Sequence, residues 1–296
     1  MISETTRQTI YPPHFPLQPQ FVDVLGQRIA YFDEGTGSKP ILLLHGNPVS
    51  AYVYARLIQR LAPDFRCIAP DLLGFGLSDK PAQEADYSLP RHIALITEFV
   101  RLLDLQDIAL VVHDWGGPIG LGTAVQEKER YTHLIILNTL TEPVMRLAPV
   151  YKLPFHLLAR TPRLAAYLIR QKGLFQKMGV AVMDEADQQV YFRANPTPET
   201  RAGIAAFPKM IPHHAHHPTT PVWRDILAQV EAWDIPALVM FSDHDSVFRA
   251  EEGERLARRL VQARFQRIAG PKHFLQYQAP EELAVEIKQF LRESHR

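Results

Sequence analysis

The stretch "ALVVHDWGGPIGLGTA", residues 109–124, decides the fold. An apolar run of strand type stops at His113-Asp114-Trp115, and two glycines and a helix-like pattern follow. A sharp strand-to-helix turn of this kind usually presents a serine nucleophile, as in G-x-S-x-G. Here the apex residue is Asp114.

The same alternation of strand and helix continues in both directions. Towards the N-terminus, "RHIALITEFVRLLDL" (91–105) has helical periodicity and "CIAPD" (67–71) reads as a strand. Ser50 is a candidate cap for a helix ending near Leu61, "ILLLH" (41–45) reads as a buried parallel strand, and "FVDVLGQRIAYFDEG" (21–35) reads as a hairpin turned at Leu25-Gly26-Gln27. Towards the C-terminus come a helix over 117–126 and "HLIILN" (133–138); "PALVMFS" (236–242), a helix over 251–260, "ARFQRI" (263–268) and a last helix over 280–291 follow later. This pattern predicts an α/β fold, a mostly parallel central sheet flanked by helices. Between Thr141 and Pro212 there are helical stretches and proline breaks but no buried-strand pattern. That segment reads as an inserted helical lid, giving a core domain of 1–140 and 213–296 and a cap domain of 141–212.

Composition excludes several function classes. Lys plus Arg and Asp plus Glu are 32 each, with no basic or acidic block, which argues against nucleic acid and anionic membranes as partners. No segment reaches the roughly 18 apolar residues that a membrane helix requires. The opening "MISETTRQTIYPPHFPLQPQ" lacks a charged start followed by an apolar stretch, so no signal peptide is expected. The single cysteine, Cys67, lies in strand-like "FRCIAP" and reads as a buried thiol; with no intrachain disulfide framework, a reducing cytoplasm is the expected location. In "IPHHAHHPTTP" (211–221), His213, His214, His216 and His217 read as a surface loop, because structural zinc draws its ligands from ordered elements, often with Cys. Neither a functional metal nor a cofactor is expected.

A parallel sheet collects its active groups at the carboxyl ends of its strands. Five residues fall there: Asn47, Asp114, Glu142, Asp245 and His273. Each alone has a plain structural reading, as a helix cap or a surface residue. Their order matches the nucleophile–acid–histidine order of α/β-hydrolases, with Asp114 in place of serine. A carboxylate is already ionised at neutral pH, whereas serine needs a base to remove its proton. Attack by Asp114 on a saturated carbon bearing a leaving group gives an alkyl ester. His273 then takes a proton from the water that hydrolyses the ester, Asp245 orients the ring, and the backbone N–H groups of Trp115 and Asn47 hold the oxyanion. The donors beside the attack site carry no negative charge: the indole N–H of Trp115 and the amide of Asn47. That pair suits a departing halide ion.

"LLLHGNPVSAYVY", "DLLGFGLSDKP", "VVHDWGG", "FSDHD", "KHFLQ" and the lid segment "ANPTPETRAGIAAFPKMIP" together resemble the successive motifs of the haloalkane dehalogenases, α/β-hydrolases, over essentially the whole chain. The resemblance implies Asp114 as nucleophile, His273 as base and Trp115 as first halide donor. In that family the second donor is an Asn beside the oxyanion loop or a Trp in the lid. The lid here has no Trp, since Trp223 and Trp233 lie beyond it, so Asn47 is the candidate. The family's acid follows the strand before the lid or the strand beyond it, which leaves Asp245 as the first candidate and Glu142 as the reserve, with Asp243 a neighbour of poorer spacing. Phe207 and Leu275 are expected from the same resemblance as pocket walls. The implied partners are a small halogenated aliphatic substrate, a halide ion and water.

Two other readings compete. An epoxide hydrolase also uses an Asp here, but it resembles G-H-D-W-G where this chain has Val112, and it needs lid tyrosines; Tyr151, Tyr167 and Tyr191 are the candidates. A fluoroacetate-type dehalogenase needs a positive clamp, and no arginine lies near Asp114 in sequence. A non-catalytic ligand-binding member of the fold has no use for a water-activating His273.

Overall fold

A computed structural model of the chain describes residues 10–12, 15–145, 164 and 167–293. Strands β1 (Pro19–Val24) and β2 (Gln27–Glu34) form the expected hairpin, turned at Leu25-Gly26, where both residues have positive φ. The sheet continues with β3 (Pro40–Leu44), β4 (Arg66–Pro70), β5 (Ile108–His113), β6 (Tyr131–Leu137), β7 (Pro236–Ser242) and β8 (Gln262–Ile268). Their spatial order is β1-β2-β4-β3-β5-β6-β7-β8, antiparallel from β1 to β4 and parallel from there on.

The unbroken apolar runs of β3 and β5 follow from burial on both faces. Successive side chains point to opposite sides of a strand. Leu42, Leu44, Leu110 and Val112 therefore enter one core, with α2 (Leu89–Leu102) and α3 (Gly116–Gln126). Ile41, Leu43, Ala109 and Val111 enter the other, with α1 (Ala55–Leu61) and α10 (Pro280–Glu293).

Two local expectations change. Helix α2 starts at Leu89, two residues before the periodic run, because Pro90 fits a first turn and the Ser88 hydroxyl accepts from Arg91 N–H. Ser50 makes no side-chain cap; it precedes a 3₁₀ turn, Ala51–Tyr54, whose first N–H donates to Asp71 at the end of β4, 2.9 Å away.

Between β6 and residue 212 the described residues include a π-helical turn (Tyr167–Gln171), α4 (Leu174–Gly179), α5 (Glu185–Ala194) and α6 (Ala202–Lys209), and no strand. The chain then returns through α7 (Thr219–Glu231), α8 (Ala250–Arg259) and the short α9 (Leu275–Gln278). Asp187 of α5 ties this helical insertion to the core, accepting hydrogen bonds from the Tyr52 hydroxyl at 2.6 Å, the Tyr277 hydroxyl at 2.7 Å and Arg56 at 3.0 Å. Among the described residues, no helix is long and apolar enough to cross a membrane. Cys67 is buried in β4, and burial pushes its thiol up to about 12, which leaves it unreactive.

Candidate active site

Asp114 follows β5 with φ +51° and leads directly into α3. For a residue with a Cβ, this left-handed position costs of order 1–3 kcal/mol. The elbow is fixed by its hydrogen bonds: Asp114 N–H donates to the Asn138 carbonyl (2.9 Å), and Gly117 N–H (3.0 Å) and the Thr139 hydroxyl (2.6 Å) donate to the Asp114 carbonyl. Two glycines allow the close approach. A Cβ on Gly46 would overlap the Asp114 carboxylate, and one on Gly116 would overlap the Leu44 carbonyl.

The two carboxylate oxygens have different surroundings. Oδ1 accepts from Asn47 N–H at 2.8 Å, and Trp115 N–H also donates to the carboxylate. Oδ2 faces His273, whose Nε2 lies 3.8 Å away. Across the ring, His273 Nδ1 is 2.9 Å from Asp245 Oδ2, while Asp245 Oδ1 accepts from Val247 N–H at 2.7 Å. The Asp245 side chain is fully shielded from solvent.

Burial pushes the Asp114 carboxyl above its ordinary value, against the pull of His273 and of the Trp115 and Asn47 N–H groups. Burial alone would lower the His273 imidazolium, but Asp245, by charge and hydrogen bond, and Asp114 outweigh it and leave the pKa raised. A cavity of about 60 Å³ opens beside the carboxylate, lined by Asp114 and Trp115 and otherwise by apolar side chains, among them Leu140, Ile211, Val247 and Phe248. Such a space favours displacement by an anion that is poorly solvated.

The alpha/beta hydrolase fold family matches residues 39–280. Over 283 residues the chain is 31% identical to haloalkane dehalogenase 2 of Mycobacterium bovis, covering 93% of this chain and 96% of that protein. Haloalkane dehalogenase 1 of the same organism is 34% identical over 281 residues, 91% of each chain. The chain belongs to the haloalkane dehalogenase family. The crystal structure of the haloalkane dehalogenase DatA from Agrobacterium tumefaciens shares the fold, with a TM-score of 0.86 over 94% of this chain and 97% of that one, at 23% identity.

The structure brings Asp114, Trp115, Asn47, Asp245 and His273 together. Glu142 lies elsewhere: its carboxylate pairs with Arg259 at 2.8 Å and its carbonyl accepts from the Trp223 indole at 3.0 Å. Asp243 is taken by Gly270 N–H. The two expected pocket walls are both buried side chains near the site. Phe207 is fully buried, edge-on to Trp115, Phe75 and His92, and Leu275 is fully buried at the start of α9; neither lines the cavity. Asn47 Oδ1 is buried with no hydrogen-bond partner among the described residues, and Asn47 is not among the cavity-lining residues.

Of the lid tyrosines, Tyr151 lies outside the described residues, Tyr167 is half exposed, and Tyr191 is buried; neither of the latter two lines the cavity. His213, His214 and His217 pack ring on ring, and the His217 Nε2 lies 3.0 Å from the Lys209 carbonyl. No group of three or more His, Cys, Asp or Glu among the described residues is arranged to hold a metal ion. Asn138, at the end of β6, was not singled out from the sequence; its side chain reaches both the Ser242 and His273 loops.

Proposed function

We propose that the chain is a hydrolase acting on carbon–halide bonds, converting a small haloalkane and water into an alcohol and a halide ion. The supporting observation is the division of labour at Asp114. Oδ1 accepts from Asn47 N–H, Oδ2 faces the base, and the carboxylate opens on a mainly apolar cavity.

Asp114 Oδ2 attacks the carbon from the side opposite the halogen. The C–O bond forms as the carbon–halogen bond breaks, and the electron pair leaves with the halide. The Trp115 indole N–H is the first donor to that anion. The Asn47 amide NH₂ is the second. Hydrogen bonds to a charged partner contribute about 1.5–3 kcal/mol each. In the second step water adds to the ester carbonyl while His273 Nε2 accepts its proton. The oxyanion forms on Oδ1, facing Asn47 and Trp115 N–H, and Asp245 stabilises the imidazolium. Collapse breaks the bond between the carbonyl carbon and the alkyl oxygen, and His273 returns the proton to the departing alcohol. The alcohol oxygen comes from Asp114, and the water oxygen stays in the carboxylate.

This reading includes a core of 1–140 and 213–296 with a cap of 141–212, and the lone buried Cys67 supports a cytoplasmic setting. A His273→Gln variant exposed to a bromoalkane tests it by mass spectrometry. An alkyl adduct should accumulate on the peptide containing Asp114. No adduct, combined with no halide release by the unaltered enzyme from a broad bromoalkane panel, overturns the reading.

A further inference from the structure

We infer that Asn138 is a positioning residue that clamps the base loop to the acid loop, so that it governs hydrolysis of the alkyl-enzyme and not its formation. This rests on the dehalogenase reading above. Asn138 follows β6, between β5 and β7 in the sheet, and so sits between the elbow and the acid loop. It is fully buried, and it touches all three catalytic segments. Its main-chain carbonyl accepts from Asp114 N–H at 2.9 Å. Its Oδ1 accepts from Ser242 N–H at 2.9 Å, three residues before Asp245. Its Nδ2 donates to Ser242 Oγ at 2.7 Å and reaches the carbonyls of His273 at 3.1 Å and Lys272 at 3.4 Å. Ser242 Oγ in turn donates to the Lys272 carbonyl at 2.8 Å.

Only a primary amide offers an acceptor and a two-proton donor side by side, and both edges are used here. A second clamp meets the same carbonyl: His113 Nε2 lies 2.9 Å from the His273 oxygen. A carbonyl only accepts, so Nε2 carries the proton. Burial, the largest influence on this ring, holds it well below its ordinary pKa, leaving it neutral. With its main chain held from two sides, His273 has little freedom except rotation of the ring, and Asp245 fixes that. The separation between Asp245 and His273 is thus set by a side chain that touches neither ring nor substrate.

The elbow contact uses main-chain atoms of Asn138, so truncating the side chain leaves it in place. Alkylation depends on Asp114 and the halide donors, whereas hydrolysis depends on His273 standing 2.9 Å from Asp245. Removing the amide should therefore separate the two steps.

The test is rapid-quench kinetics with 1-bromobutane on the unaltered enzyme, Asn138→Ala and Ser242→Ala. We expect Asn138→Ala to keep a bromide burst within about twofold of the unaltered rate, while ester hydrolysis slows about 10- to 100-fold and the Asp114 adduct accumulates. Ser242→Ala, which keeps the main-chain donor to Asn138, should show the same separation with a smaller loss. Equal slowing of both steps in Asn138→Ala, or no slowing of either, overturns the inference. If Asn138→Ala does not fold, Ser242→Ala decides by the same criterion. A normal two-step turnover by the unaltered enzyme with no separation in the variants refutes the clamp alone. No bromide release from the unaltered enzyme, with 1-bromobutane or with a broad bromoalkane panel, refutes the dehalogenase reading itself.

Discussion

Replacing Asp245 by Asn changes one oxygen to an NH₂ group, and the surrounding contacts dictate which one. Val247 N–H points at Oδ1 from 2.7 Å and requires an acceptor there. The NH₂ must then take the place of Oδ2, facing His273 Nδ1 across 2.9 Å. A donor in that position makes Nδ1 the acceptor and moves the ring proton to Nε2, the atom that has to accept a proton from water. The lost charge-assisted hydrogen bond is worth about 1.5–3 kcal/mol. The wrong tautomer brings the loss to about 10⁴-fold in comparable triads, or ~5 kcal/mol. We therefore expect hydrolysis of the alkyl-enzyme to slow by about 10³- to 10⁴-fold, and alkylation to change less than about tenfold. Stopped-flow halide release should show a burst of one halide per active site followed by near silence.

The pH dependence of the unaltered enzyme gives a second readout of the same pair. Hydrolysis needs a neutral His273, so it is lost as pH falls through that residue's pKa in the ester. Esterification removes the Asp114 charge that helps to raise the pKa, so this limb lies below the pKa of His273 in the free enzyme. Alkylation needs an ionised Asp114, and it fails as pH falls through a carboxyl pKa raised by burial. In Asp245→Asn a raising influence on His273 is gone, so the residual hydrolysis should persist to lower pH. Equal slowing of both steps, or a Glu142→Gln variant that loses hydrolysis while Asp245→Asn keeps it, would refute the reasoning. Glu142 sits in a partly exposed pair with Arg259, and its neutral variant should turn over normally.

Trp115→Phe removes the indole N–H and retains most of the ring; one charge-assisted hydrogen bond predicts an alkylation rate about 10- to 150-fold lower, read as the burst rate. An unchanged burst would assign halide stabilisation elsewhere. Phe207→Ala should lower stability by about 3–5 kcal/mol in urea unfolding, because a fully buried ring among Phe75, His92 and Trp115 leaves a void. A shift in substrate preference without that loss would return Phe207 to the pocket wall.

Much of this protein could be read from residue order. Apolar runs such as "ILLLH" and "ALVVH" fixed the parallel strands, because a strand covered on both faces must be apolar at every position. The elbow at Asp114 and the spacing of Asp245 and His273 followed from strand ends, since the carboxyl edge of a parallel sheet gathers them. Sequence left Asp245 and Glu142 both open as acid, because each follows a strand on that edge. Only the tertiary structure separated them, by pairing one with His273 and the other with Arg259. Asn138 escaped notice for a related reason. Composition gives a side chain's polarity, whereas the pairing of one amide with two distant loops depends on how far-separated segments meet.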